Sequence, residues 1–136
     1  MLFDKKTRGK EWADIDHINP RLRAFLLWLD EKCVAEFQKE ICITSLGRTL
    51  SQNQKAGGRP NSFHLFRPVC AADIRTTNSK WFTQIQQEQI VEWFHNHHAC
   101  RTGDKCSIER KKFHIHIQME FSPNQDLDEI EIMGVQ

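Results

Sequence analysis

The run Phe113-His114-Ile115-His116-Ile117-Gln118-Met119-Glu120-Phe121 alternates apolar and polar residues without a break. In an extended strand successive side chains point to opposite faces, so Phe113, Ile115, Ile117, Met119 and Phe121 share one face. A period of two over this length fits a strand with one buried side and does not fit a helix. His114 and His116 then lie together on the opposite face. They can serve one centre, one as a metal ligand and the other as a supporting donor or as the partner of an oxyanion. Upstream, the stretch Asn61 to Ile74 supplies His64 and, nine residues later, Asp73. Imidazoles and a carboxylate from these two stretches could meet on one divalent ion, and three protein ligands with a fourth position left for water is what a catalytic zinc requires.

The chain has 136 residues, 39% of them hydrophobic, which is enough to bury one real core and suits a single domain over 1–136. Nineteen Lys and Arg against eighteen Asp and Glu give a formal net charge of +1, which argues against a broad nucleic-acid footprint and for a tailored pocket. No apolar run has the length of a membrane span, and the start Met1-Leu2-Phe3-Asp4-Lys5-Lys6 lacks the apolar core of a secretory signal. The expectation is a monomer made in the cytoplasm, with no stable membrane insertion. Five cysteines in no disulfide-framework spacing suit a reducing compartment. Of these, Cys33, Cys42 and Cys70 read as small core residues.

Taken in order, residues 1–18 read as a loosely packed lead-in anchored by Trp12 and Ile15. Asn19-Pro20 is a cap followed by proline at the first helical position, and Leu22, Phe25, Leu26, Leu29, Cys33 and Phe37 repeat every three or four residues. An amphipathic helix to about Lys39 follows. Ile41 to Ser45 is a β-branched first strand that delivers Arg48 at its end, and residues 51–61 form a Gln-, Asn- and Gly-rich loop. Val69 to Ile74 is the next strand and carries Asp73. Thr77-Asn78-Ser79 offers caps for a second helix with Trp81, Phe82, Ile85, Ile90, Val91, Trp93 and Phe94, which frays through His95 to His98. Ser107 to Arg110 then pairs antiparallel with the histidine strand, and the acidic tail 122–136 adds an edge strand or stays mobile. His95, His97, His98, Cys100 and Cys106 match no standard zinc-finger spacing and read as a helix end; Cys100 and Cys106 could close a small disulfide loop outside the cytoplasm.

The series Thr44-Ser45-Leu46-Gly47-Arg48-Thr49, Asn53, Gly57-Gly58, Ser62-Phe63-His64, Ala71-Ala72-Asp73-Ile74 and His114-Ile115-His116 resembles the zinc peptidases that include D-Ala-D-Ala carboxypeptidases, vancomycin-resistance dipeptidases and phage L-Ala-D-Glu endolysins. The hedgehog N-terminal domain shares that fold. The matching positions run from Ser45 to His116, about half the chain. Two departures stand out. Between His64 and Asp73 there are two extra residues, with Phe66-Arg67-Pro68 in place of a glycine, so that segment must bulge. The family's catalytic carboxylate lies a few residues before the last histidine, whereas Arg110, Lys111 and Lys112 fill that interval here and Glu109 stands seven residues before His116.

The resemblance implies an α+β fold: a small antiparallel sheet, helices packed on one face, and a zinc site on the open face. It implies His64, Asp73 and His116 as zinc ligands, Glu109 as general base, His114 as stabiliser of oxyanion charge, Arg48 as holder of a substrate carboxylate or the oxyanion, and Ser62 as a support behind the ligands. The activity implied is hydrolysis of a peptidoglycan stem peptide, as carboxypeptidase or endopeptidase, with delivery to the bacterial wall by a phage lysis or tail system. The alternatives are a zinc-binding module without turnover and a phage structural or assembly protein with the same fold.

Overall fold

Asn19 and Pro20 begin the first helix as their chemistry predicts. In the computed structural model, which describes residues 1–4, 18–46, 70–97 and 106–119, the helix α1 spans Pro20–Phe37. The Asn19 side chain accepts the Arg21 amide at 2.9 Å, while its Nδ2 donates to the Met119 carbonyl at 2.7 Å. One buried side chain thus caps the helix and ties it to the last described strand, and replacing such a cap typically costs about 1 kcal/mol. Leu22, Phe25, Leu26, Leu29 and Cys33 are fully buried along one stripe. The helix stops two residues before the expected Lys39 because Gln38 turns left-handed, at φ 54°, and its amide returns to the Val34 carbonyl.

Five described strands form one sheet: β1 Leu2–Phe3, β2 Cys42–Ser45, β3 Ala71–Arg75, β4 Cys106–Arg110 and β5 His114–Met119, in the spatial order β1-β2-β3-β5-β4. The β2–β3, β3–β5 and β4–β5 pairings are antiparallel, but β1 runs parallel to β2. The sheet is therefore mixed, not antiparallel throughout. The expectation that residues 1–18 form only a loose lead-in also fails at its start, where the Leu2 and Asp4 amides bond the carbonyls of Ile41 and Ile43. The anchors Trp12 and Ile15, the loop 51–61 and the tail 122–136 lie outside the described residues.

The second helix α2, Gln84–Asn96, starts later than the sequence suggests. Thr83 is its cap, in a reciprocal box with Gln86: the Gln86 amide donates to Thr83 Oγ1 at 3.2 Å and the Thr83 amide to Gln86 Oε1 at 3.0 Å. Thr77, Asn78 and Ser79 do not cap it, because all three are left-handed, with φ of 51°, 52° and 68°. The carbonyls of Phe113 and Lys112 hold that turn by accepting the Thr76, Thr77 and Asn78 amides at 2.9–3.1 Å. Trp81 and Phe82 thereby precede the helix, and Ile85 faces solvent.

Both helices contribute to a single core with one face of the sheet. Ile43, Ala72, Ile74, Ile115, Ile117 and Met119 meet Phe25, Leu26 and Leu29 of α1, Ile90 and Phe94 of α2, and Phe82 just before it. A T-shaped contact between Phe25 and Phe94, centroids 5.3 Å apart, joins the two helices. The architecture is α+β. Phe113 departs from the alternation: it is 59% exposed, because β5 begins at His114 and Phe113 belongs to the turn before it.

Candidate metal centre

Both described helices pack on one face of the sheet, and the pairing register sets out what stands on the other. Asp73 is opposite Ser45 on one side and His116 on the other, and His116 is in turn opposite Glu109. Residues in lateral register share a face, so Ser45, Asp73, His116 and Glu109 form one row across four strands. The next row along carries Arg75 opposite His114, and the Lys111 amide donates to the His114 carbonyl at 2.9 Å to close the β4–β5 turn. On the other side of the central row, Gln118 stands between Ala71 and Ser107.

Asp73 is the centre of this surface. Its side chain is only 6% exposed, and each carboxylate oxygen faces an imidazole: Oδ1 lies 2.9 Å from His116 Nδ1, and Oδ2 lies 3.7 Å from His114 Nε2. The second ring nitrogen of His116 lies 3.2 Å from Gln118 Oε1. Burial on its own would lower the His116 pKa. The Asp73 hydrogen bond and charge, helped by Gln118, outweigh both burial and the nearby Lys111, so the value is raised. The other cation beside the site, Arg75, pairs with Asp4 at 3.4 Å.

Asp73 and His116, expected as two of the zinc ligands, thus stand side by side, with His114 next to them. The third expected ligand, His64, lies outside the described residues, as do Arg48 and Ser62. Among the described residues no three His, Cys, Asp or Glu side chains are grouped to hold a metal ion. The donor chemistry nevertheless fits one: a buried carboxylate beside an imidazole is a hard, anionic pair of the kind that binds zinc once the imidazole proton is displaced. Glu109 is exposed on β4, the last strand of the described sheet, in register with His116.

At the histidine-rich helix end, His97 packs against α1, and His98 lies outside the described residues. The His97 ring lies 4.5 Å from Trp28 and 5.1 Å from Phe25, while His95 is exposed. Cys100, the other half of the small disulfide loop considered with Cys106, lies outside the described residues. Three residues beside the site were not singled out from the sequence, namely Gln118, Arg75 and Lys111. Gln118 could have been found, since it follows His116 by two on the same strand face. Arg75 and Lys111 needed the strand register. Among the described residues, no helix is long and apolar enough to cross a membrane.

No curated protein and no solved structure matches this chain. The family model described as Peptidase M15 matches residues 5–118, which takes in both sides of the Asp73–His116 pair. The chain belongs to the M15 peptidase family.

Proposed function

We propose that this protein is a zinc metallopeptidase that cleaves a peptidoglycan stem peptide at a bond involving a D-amino acid. The observation that carries this reading is the buried Asp73 carboxylate held 2.9 Å from His116, on the sheet face opposite the two described helices, in a chain of a peptidase family. His64, Asp73 and His116 would hold the ion. When bound, zinc supplies a water whose pKa falls to about 7 and a Lewis acid for the scissile carbonyl.

The chain's own residues supply the remaining chemistry. Glu109, in lateral register with His116 and open to solvent, takes the proton of the attacking water and passes it to the leaving amine. His114, whose Nε2 faces Asp73, donates to the oxyanion that develops on the carbonyl oxygen. Arg48 holds a substrate carboxylate, and Ser62 braces the ligands. The protein is made inside the cell and reaches the wall through a phage lysis or tail system.

The test is release of new amino groups from purified peptidoglycan by zinc-loaded protein, with chelated protein and Glu109→Gln alongside. Release that needs zinc and falls about 100-fold or more in Glu109→Gln supports the peptidase and its base. Release unchanged by chelation rejects the zinc mechanism. Stoichiometric zinc without release from any wall preparation favours a binding module, a reading that the exposure of Glu109 supports.

A further inference from the structure

We propose that Arg75 is a specificity-determining residue that receives a carboxylate of the substrate, with Asp4 holding that place until the substrate arrives. This rests on the peptidase reading above and narrows the substrate to a peptide with an acidic residue beside the scissile bond. Asp73 and Arg75 are two apart on β3 and so share a face, while Ile74 between them is buried in the core. Arg75 stands opposite His114 in the β3–β5 register, one row along from Asp73 and His116. Two residues of strand span roughly 6.5 Å. An extended peptide advances roughly 3.3–3.6 Å per residue, so a carboxylate carried within two residues of a bond placed at the Asp73–His116 pair comes within reach of Arg75.

The contact that engages Arg75 is a loose one. Its Nη2 atom lies 3.4 Å from Asp4 Oδ2, and the two side chains are 35% and 20% exposed. A guanidinium presents a fork of N–H donors, and a carboxylate that takes two of them in parallel sits at about 2.7–2.9 Å. An ion pair that solvent reaches contributes little to stability. Exchanging Asp4 for a substrate carboxylate therefore costs little, and a two-pronged bond gained in its place favours the exchange. Asp4 also shows the chemistry of the occupant. It follows β1 directly and its amide donates to the Ile43 carbonyl at 3.0 Å, so strand pairing brings a carboxylate of the chain itself to the cation on the site face. Arg75 keeps its charge at every working pH, and its planar fork selects a carboxylate over a neutral amide.

The experiment measures, by calorimetry, binding of two synthetic peptides to the full chain in chelator, where no cleavage competes. One is acetyl-L-Ala-D-Glu-L-Lys-amide, joined to lysine through the glutamate side chain so that the α-carboxylate is free; the other has that carboxylate amidated. Both are blocked at their ends, so neither offers Arg48 a terminal carboxylate. The wild-type chain is expected to bind the acidic peptide about 10- to 100-fold more tightly than the amide. Arg75→Gln should close that gap, Arg75→Lys should keep part of it, and Asp4→Asn should widen it about 2- to 5-fold. Equal binding of the two peptides by the wild type, or binding of neither, overturns the proposal, as does a gap that survives in Arg75→Gln. Where Arg75→Gln fails to fold, Asp4→Asn decides: a gap unchanged or narrowed there marks the pair as a structural brace. Cleavage is read apart from binding. A zinc-loaded chain that binds the acidic peptide through Arg75 yet releases no amino groups from the wall sinks the peptidase reading, whereas zinc-dependent release with no preference between the peptides sinks this inference alone.

Discussion

The two faces of β5 differ in what holds their side chains in place. On one, Ile115, Ile117 and Met119 are fully buried against both helices. On the other, His114, His116 and Gln118 are half-buried and held by polar contacts to Asp73 and to one another. The same six residues therefore serve two physical systems, one governed by area removed from water and the other by charge and hydrogen bonding. Substitution on the first face should cost stability, and on the second should cost metal affinity with the fold left largely intact.

Ile117→Ala is the strongest way to break that division. Truncating a fully buried side chain beneath the site should cost about 2–5 kcal/mol in denaturant unfolding, with zinc affinity of the remaining folded protein unchanged. Loss of affinity in the folded fraction would show that the faces are coupled. His116→Ala is the converse. It should weaken zinc binding at least about 100-fold, beyond what loss of a supporting residue costs, while the metal-free protein loses only the stabilisation of the His116–Asp73 contact, less than Ile117→Ala costs.

The pH dependence sharpens the comparison, because the raised His116 pKa acts in opposite directions with and without metal. In the metal-free protein, the His116–Asp73 contact contributes its full stabilisation below the unfolded-state value of about 6.5 and loses it as pH rises through the folded value. Zinc affinity should follow the reverse course, falling as pH drops through that raised value, because the imidazole must shed a proton to bind. Melting and zinc titrations between about pH 5 and 9 read both trends; Ile117→Ala should leave the slope of each unchanged. The smallest effect expected is at Thr77, a β-branched residue at φ 51°. Thr77→Gly should stabilise the fold by about 0.5 kcal/mol, since relief of left-handed strain exceeds the extra chain entropy of glycine.

Much of this was legible in the sequence because each signal was local. The strict alternation of Ile115, Ile117 and Met119 fixes which side of β5 is core, and Asn19-Pro20 fixes where α1 begins. The adjacency of Asp73 and His116 was expected through family resemblance; periodicity alone places two histidines on one face but says nothing about which carboxylate stands opposite. What could not be read was set by distant partners. The turn at Thr77 to Ser79 is left-handed because the carbonyls of Lys112 and Phe113 claim its amides, against the intrinsic preference of all three residues. Phe113 is rolled outward by that same junction, and Leu2–Phe3 becomes strand only because β2 offers it an open edge. Long-range pairing outweighed local propensity at each of these places.

Asp73 and His116 sit on β3 and β5, inner strands of the described sheet that pair with each other along the whole of β3. Their backbone amides belong to the part of the sheet that opens last, so their protons should exchange with solvent only through events close to global unfolding. A reactive pair on strands paired in this way has little room to adapt by local breathing. Whatever binds there must come to a fixed pair of donors, and the adjustment on binding has to be made by the ligand or by residues outside these two strands.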